Sequence, residues 1–379
     1  MTERGPRMVI AGGGTGGHVL PALAVIEELR QRGRPDELLW IGSHDGLERE
    51  AAENADIPFH AIPTGKLRRY VSASTAVDAT RIPRGIWAAR AALRRFRPDL
   101  VFSTGGFVSV PTVIAAARQA PILTHEQTAV LGLATRINAR FADVLAVSYE
   151  ATAPSASKVH RRVVVTGNPV RASLVAGDAA RGLARWGFNQ DRPMVYVTGG
   201  ARGASPLNQR LAALLPDLLQ RCQVLHQTGP ASANADATDL DRTRETWPEE
   251  LRDRYRVVPF VRDELADVYA AANLIIGRAG AGTVAELAFL GKPALLIPLP
   301  GTGGDEQTHN ARLLADAGAA VVLSQEEATP GRLRREIDAL LENPEDLRQM
   351  GERAKVVGGP DASARLADEL LSLARVCHV

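Results

Sequence analysis

The chain carries only two cysteines among 379 residues, Cys222 and Cys377. Two are too few for a disulfide framework, so the sequence points to a reducing cytoplasm. Aromatic residues make up 4%, which argues against a stacking platform for single-stranded nucleic acid. Net charge is +2, so no global field favours nucleic acid, and no such partner is expected. No apolar run approaches the ~18–20 residues needed to span a bilayer. The opening residues, Met1 to Arg7, are polar and lack the apolar core of a secretory signal. Paired histidines at ligand spacing and a CxxC are also missing, and no obvious Asp-x-Asp metal motif stands out. No metal site and no cofactor are therefore expected.

What is present is ordinary in bulk and specific in detail. Hydrophobic residues are 45% and charged residues 23%, the balance of a globular protein. The length suits two α/β domains better than one. Two glycine-rich loops lie about half a chain apart. The first is Met8-Val9-Ile10-Ala11-Gly12-Gly13-Gly14-Thr15-Gly16-Gly17-His18, the second Met194-Val195-Tyr196-Val197-Thr198-Gly199-Gly200-Ala201-Arg202-Gly203-Ala204. Each is an apolar run, then glycines, then a helix start, which is the opening of a doubly wound domain. Seen twice, it predicts two Rossmann-like domains facing a central cleft.

Alternation of short apolar runs with helical stretches predicts parallel sheets. Strands are expected at Met8–Ala11, Leu38–Ile41, Leu100–Ser103, Ile122–Thr124, Val144–Val147 and Val163–Thr166. In the second half they are expected at Met194–Thr198, Val224–His226, Val257–Pro259, Leu274–Ile276, Ala294–Ile297 and Ala320–Leu323. The first helices are expected at Pro21 to Arg30, Ile86 to Arg95, Thr112 to Arg118 and Leu133 to Phe141. Gly167-Asn168-Pro169-Val170-Arg171 reads as a hinge, which divides the chain into 1–168 and 169–360. Asp361 to Ala374 reads as an amphipathic helix.

Gly12-x-Gly14-x-x-Gly17 matches the dinucleotide fingerprint, but the second strand ends Trp40-Ile41-Gly42-Ser43 without the acid that holds a ribose; Asp36 and Glu37 precede it. The other reading is a tight strand–helix turn. His18 opens the following helix, where a neutral imidazole can act as a general base; the bland alternative is a helix-start histidine that meets only solvent or backbone. Gly280-Ala281-Gly282-Thr283-Val284-Ala285-Glu286 lets phosphate oxygens approach backbone N–H groups, with Glu286 placed to accept ribose hydroxyls. Thr283-x-x-Glu286 is equally a capping box. Asp305 to Ala311 and His125-Glu126-Gln127-Thr128 both follow strands and suit recognition of a polyhydroxyl ligand.

From Lys66 to Arg97 the chain is locally basic. Lys66, Arg68, Arg69, Arg81, Arg84, Arg90, Arg94, Arg95 and Arg97 face one acid, Asp78. Ile82, Ile86 and Trp87 sit among them. Charge with an apolar wedge fits docking on an anionic membrane surface; the alternative is an arginine-rich solvated helix.

Taken in order, these motifs resemble the MurG family of bacterial peptidoglycan N-acetylglucosaminyltransferases. The resemblance runs through Gly13 to His18, Thr104-Gly105-Gly106-Phe107-Val108-Ser109, His125-Glu126-Gln127, Gly167 to Arg171, Thr198-Gly199-Gly200, His226-Gln227-Thr228-Gly229, Arg278 to Thr283, and Gln307 with Asn310-Ala311. It implies a GT-B fold of two Rossmann-like domains, the C-terminal helix, about 361–379, crossing back to the first. It implies inverting transfer of N-acetylglucosamine from UDP-GlcNAc to the 4-hydroxyl of the muramyl sugar of undecaprenyl-linked lipid I, giving lipid II. The implied place is the cytoplasmic face of the inner membrane, peripherally held, with cell-division or cell-wall enzymes as further candidate partners. Carried over, His18 is the candidate base and Glu126 a second catalytic candidate. Thr15, Gly16, Gly17, Thr128, Arg171, Ala201, Val261, Ala281, Gly282, Thr283, Val284, Ala285, Glu286 and Gln307 are the candidate UDP-GlcNAc contacts. In the family pattern Asn commonly stands where this chain has Thr128, and Ser where it has Ala201; each lost hydrogen bond costs roughly 0.5–1.5 kcal/mol.

The nearest rival is another GT-B enzyme, either a glycosyltransferase with a different acceptor or a UDP-sugar epimerase. A nucleotide-binding oxidoreductase is disfavoured by the missing strand-end acid. The third rival is a non-catalytic scaffold that retains UDP-sugar binding.

Overall fold

Short runs of β-branched and aliphatic residues build two parallel sheets, and each strand end delivers a loop to the same edge. The structure, a computed structural model, describes residues 5–35, 37–65, 73–301, 304–358 and 361–376. Side chains are described for all of these except residues 73–80, 375 and 376. Asp36, Lys66, Arg68, Arg69 and Cys377 therefore lie outside the described residues, as does the side chain of Asp78.

The chain divides into two compact units, Met1–Arg171 with Asp361–Val379, and Ala172–Pro360. The first contains strands β1 (Arg7–Gly12), β2 (Glu37–Ser43), β3 (Phe59–Ile62), β4 (Leu100–Gly105), β5 (Ile122–Glu126), β6 (Val144–Val147) and β7 (Val163–Val165). Their order in the sheet is β3-β2-β1-β4-β5-β6-β7. The second contains β8 (Met194–Thr198), β9 (Gln223–Gln227), β10 (Tyr255–Val258), β11 (Leu274–Gly277), β12 (Ala294–Leu296) and β13 (Ala320–Val322), in the order β10-β9-β8-β11-β12-β13. All described pairings are parallel. In both units the order reverses beside the strand that precedes the glycine loop, and ligands of such sheets bind at that switch point.

The first sheet is covered on both faces, which is why its central strands read as continuous apolar runs. Val25, Ile26 and Leu29 of helix Gly16–Gln31 form one core with Leu366, Leu370 and Leu373 of the C-terminal helix Ala362–Val376. Ala89 and Leu93 of helix Ala73–Phe96 form the opposite core with Val113. Arg32–Asp368 and Arg162–Glu369 ion pairs, at 2.5 and 2.9 Å, add to the seating of the C-terminal helix. They are exposed and contribute little beside the buried leucines. In the second unit Leu207, Leu211 and Leu215 pack with Leu333 and Ile337 against the β8–β11 region.

The expected strands are all present, and Phe59–Ile62 is an additional one. It is an edge strand with an exposed His60 and a half-buried Phe59, so it lacks the apolar run that marks its neighbours. Helix Gly16–Gln31 starts well before Pro21, which lies inside it.

Candidate active site

In the first unit the glycine loop hands directly into helix Gly16–Gln31, whose N-cap is Thr15 in an extended conformation. Beneath the loop lies Glu48, fully buried. Its carboxylate accepts from the Gly14 N–H at 2.9 Å and from the Ser43 N–H and hydroxyl at 2.9 and 2.5 Å. A Cβ on Gly13 would lie 2.3 Å from its Cδ, so the loop needs glycine there to close over the acid. Glu48 thus spends its carboxylate on holding the loop and the end of β2.

His18 is half-buried. Its Nδ1 lies 2.9 Å from the Thr104 carbonyl oxygen and 3.1 Å from Gln127 Oε1. Both are acceptors in this network, so Nδ1 carries the proton and Nε2 keeps its lone pair. The orientation of Gln127 is itself fixed. Its Nε2 donates to Thr104 O at 2.8 Å and to His125 Nδ1 at 3.1 Å. His125 in turn donates from Nε2 to the Gly167 carbonyl at 3.0 Å. A chain of hydrogen bonds therefore runs from Gly167 through His125 and Gln127 to His18 and fixes its tautomer. Gly106, at φ +75°, lets the backbone pass the imidazole; a Cβ there would meet His18 Cδ2 at 2.9 Å.

The sequence reading singled out Glu126, and the structure gives its neighbour Gln127 the contact with His18. Glu126 is buried, and its oxygens accept from the Thr128 hydroxyl at 2.8 Å and the Gly132 N–H at 2.8 Å. It braces the loop after β5. The Thr128 hydroxyl also donates to Val130 O at 2.5 Å, so it too serves the loop. Arg171 lines a cavity of about 490 Å³ with Leu23, Glu27, Arg30 and Gln31 of helix Gly16–Gln31 and with Ala55. At ~1.5 Å per residue that stretch begins roughly 9 Å along the helix from Gly17 and extends past 20 Å. The structure does not bring Arg171 together with Thr15, Gly16 and Gly17.

Burial pushes the imidazole of His125 down to about 4, with the Gly167 carbonyl opposing and His18 adding to the shift. In the second unit, burial likewise lowers His226 to about 4. Both are neutral when folded and titrate near 6.5 when unfolded. The unfolded chain binds more protons in between, so their contribution is complete above pH ~6.5 and is lost as pH falls towards 4. At pH 5 the loss is about 2 kcal/mol for each. Urea denaturation at pH 7 and pH 5 should show the midpoint fall on acidification; equal midpoints would contradict neutral burial.

In the second unit the donor candidates gather at the carboxyl ends of the strands. Helix Ala281–Leu290 begins after Gly280, which caps it without a side-chain bond and with no acid in the first turn. A Cβ on Gly280 or Gly282 would meet nothing within 4 Å, so the first turn is open to a ligand. Thr283 and Glu286 lie inside the helix, and Thr283-x-x-Glu286 is not a capping box. Glu286 is half-buried and accepts from the Tyr269 hydroxyl at 2.7 Å. Behind the turn, Arg278 is 5% exposed. Its guanidinium donates to the carbonyls of Ile297 and Pro298 and to Gln325 Oε1. None of these partners is a carboxylate, so a buried positive charge precedes a helix N-terminus that has no side-chain cap, an arrangement suited to a phosphate dianion.

Asn310 ties the following helix, Glu306–Asp316, to the Ala279 carbonyl at 3.2 Å. Gln307, at the start of that helix, accepts from the Leu299 N–H at 2.9 Å, which turns its side chain onto the Pro298–Gly301 loop. Ala201 is exposed in the second glycine loop, and the Val261 side chain is buried. Gln127, Glu48, Tyr269 and Arg278 were not among the site residues read from the sequence. Gln127 and Arg278 stand inside quoted motifs; nothing in the spacing around Glu48 or Tyr269 marks them.

Residues 8–147 match the glycosyltransferase family 28 N-terminal domain and residues 194–366 its C-terminal domain. A UDP-N-acetylglucosamine–N-acetylmuramyl-(pentapeptide) pyrophosphoryl-undecaprenol N-acetylglucosamine transferase of Bacillus licheniformis is 36% identical over 97% of this chain and 98% of its own length. The chain belongs to glycosyltransferase family 28, among the MurG transferases. The transferase of the same name from Bacillus subtilis is 35% identical over 97% of the chain and 99% of its own. The crystal structure of Acinetobacter baumannii MurG superposes with a TM-score of 0.72 at 29% identity, over 97% of this chain and 99% of that one. A UDP-GlcNAc 2-epimerase from Neisseria meningitidis bound to UDP-GlcNAc has a TM-score of 0.66 at 15% identity, covering 96% of this chain and 99% of that one; that likeness is one of fold alone. The fold is GT-B, two parallel-sheet α/β domains, and family 28 membership makes the chain a glycosyltransferase.

Proposed function

We propose that this chain transfers N-acetylglucosamine from UDP-GlcNAc to the 4-hydroxyl of the N-acetylmuramyl sugar of lipid I, with inversion, giving lipid II. The observation that carries the reading is full-length identity of about 36% with transferases bearing that name. The site chemistry supports it. Inversion in one displacement needs one base and a stabilised leaving group. With Nδ1 donating to Thr104 and Gln127, the lone pair of the neutral His18 imidazole is at Nε2, which takes the acceptor hydroxyl proton. The hydroxyl oxygen bonds to the anomeric carbon as the bond from that carbon to the diphosphate oxygen breaks. UDP leaves with the electron pair. The N–H groups of Ala281 to Thr283 and the Arg278 guanidinium stabilise the charge that develops. Glu286 accepts the ribose hydroxyls, Gln307 reads the sugar hydroxyls with its amide N–H groups, and Val261 contacts uracil through its backbone. Thr15, Gly16 and Gly17 serve the acceptor side, and no cofactor enters the reaction.

The experiment is a transfer assay with UDP-N-acetylglucosamine and a lipid I analogue. Formation of the disaccharide product is expected; donor turnover only with a soluble acceptor would favour a different GT-B transferase.

We place the reaction at the cytoplasmic face of the inner membrane, beside other cell-wall and cell-division enzymes. Among the described residues no helix is long and apolar enough to cross a membrane. Trp87 is 82% exposed on helix Ala73–Phe96, and Arg81, Arg84, Arg90, Arg94 and Arg95 are exposed on the same helix. The apolar wedge is narrower than the sequence indicates, because Ile86 packs against the core and Ile82 is half-buried. Each cation contributes about 1 kcal/mol near an anionic surface. Arg84→Ala with Arg94→Ala should therefore weaken binding to phosphatidylglycerol vesicles about 30-fold. Unchanged vesicle binding would remove this surface from the reading.

A further inference from the structure

We propose that Glu48 is a positioning residue for the transfer reaction, holding the first glycine loop so that His18 meets the acceptor hydroxyl in line. The proposal rests on the reading of His18 as the base. Glu48 lies in the first turn of helix Leu47–Asn54 and is fully buried. Its two oxygens serve different elements. Oε2 accepts from the Gly14 N–H at 2.9 Å, and Oε1 from the Ser43 N–H and hydroxyl at 2.9 and 2.5 Å. The chain clears space for this side chain on three sides. A Cβ on Gly13 would lie 2.3 Å from its Cδ, one on Gly42 2.7 Å from its Cγ and one on Gly46 2.1 Å from its oxygens. One carboxylate thus joins the loop after β1, the end of β2 and the start of its own helix. All three of these partners are donors. A carboxylate meets them at both oxygens, whereas an amide would turn an N–H toward one of them.

The link to the base is steric. The peptide between Gly13 and Gly14 gives its N–H to Glu48, and its carbonyl points the other way. There it meets the loop after β4. A Cβ on Gly106 would lie 2.6 Å from the Gly13 carbonyl oxygen and 2.9 Å from His18 Cδ2, and one on Gly14 would meet the Phe107 ring at 2.9 Å. Gly106 therefore touches both that peptide and the imidazole. Trp40 secures the preceding residue, its indole N–H donating to the Gly12 carbonyl at 3.0 Å. On the other side the His18 N–H closes onto the Thr15 carbonyl at 3.1 Å. Freed from Glu48, the Gly13–Gly14 peptide presses on Gly106 and shifts the ring. A misplacement of 1 Å at reacting atoms costs about 10²-fold in rate. The donor candidates lie in the second unit and are untouched by the change.

Kinetics of the full chain with UDP-GlcNAc and a lipid I analogue, beside urea denaturation of the same preparations, test the assignment. Glu48→Gln keeps the shape. Its remaining oxygen satisfies the two donors of Ser43, and its amide N–H faces the Gly14 N–H. Its kcat should fall about 10- to 100-fold, with KM for UDP-GlcNAc and calorimetric UDP affinity unchanged. Ser43→Ala removes one bond to the same carboxylate and leaves Gly14 anchored. It should lower the urea midpoint and keep kcat within about twofold of wild type, an outcome that a purely structural role for Glu48 would share across both variants. Should Glu48→Gln fail to fold, Glu48→Asp, one methylene too short to span Ser43 and Gly14, carries the same expectation. Wild-type kcat in Glu48→Gln or Glu48→Asp overturns the proposal. So does a loss of kcat in Ser43→Ala equal to that in Glu48→Gln, or a KM for UDP-GlcNAc that rises as much as kcat falls. If His18→Ala stays fully active, the base reading itself is wrong. If His18→Ala is inactive while Glu48→Gln keeps kcat, only the role of Glu48 fails.

Discussion

His18→Ala is expected to keep UDP affinity and lose turnover by about 10²–10⁴-fold, the usual weight of a general base. The expectation follows from the hydrogen bonds at one ring nitrogen. Nδ1–H faces two acceptors, Thr104 O and Gln127 Oε1, so the other nitrogen is the one with a lone pair. Gln127 acts on catalysis only through that choice. Gln127→Met should lower kcat less than His18→Ala does, and leave KM for the donor alone. Stopped-assay kcat and calorimetric UDP affinity, measured on the same preparations, check both. Full activity in His18→Ala would remove the base assignment, and equal losses in KM and kcat would point to a collapsed loop rather than a missing base.

Glu286→Ala should weaken UDP by roughly 10- to 100-fold, since a hydrogen bond to a charged group contributes about 1.5–3 kcal/mol. The change leaves helix capping untouched, because the cap is Gly280 and Glu286 lies well inside the helix. It strands the Tyr269 hydroxyl, which Glu286 accepts from at 2.7 Å, so a stability loss of about 1 kcal/mol is expected. Tyr269→Phe removes the hydroxyl but leaves the carboxylate, and should weaken UDP by only a few-fold. Denaturant midpoints beside UDP titrations separate the two effects. A large stability loss with unchanged UDP affinity would mean that Glu286 serves the fold alone.

Much of the architecture is legible because parallel strands buried on both faces must be apolar throughout. Met8 to Ala11 and Met194 to Thr198 announce themselves this way, and the glycine loops that follow locate both switch points. Phe59–Ile62 escapes because an edge strand has no such requirement. Of the site, residue identity is legible and direction is not. Glu126 and Gln127 are adjacent, and only the turn after β5 decides that the amide reaches His18 while the carboxylate folds back on Gly132. Likewise Thr283 and Glu286 have capping-box spacing, and only the helix start at Ala281, three residues earlier than that box requires, frees Glu286 for another role. Glu48 and Tyr269 act through contacts distant in sequence, to Gly14 and Glu286, which no local pattern encodes.

A crystal structure of the protein with UDP bound is the most direct test. The uracil should lie against the Val261 backbone, the ribose hydroxyls on Glu286 and the diphosphate on the N–H groups of Ala281 to Thr283. Uridine seated instead on the Gly12–Gly17 loop of the first unit would contradict the account.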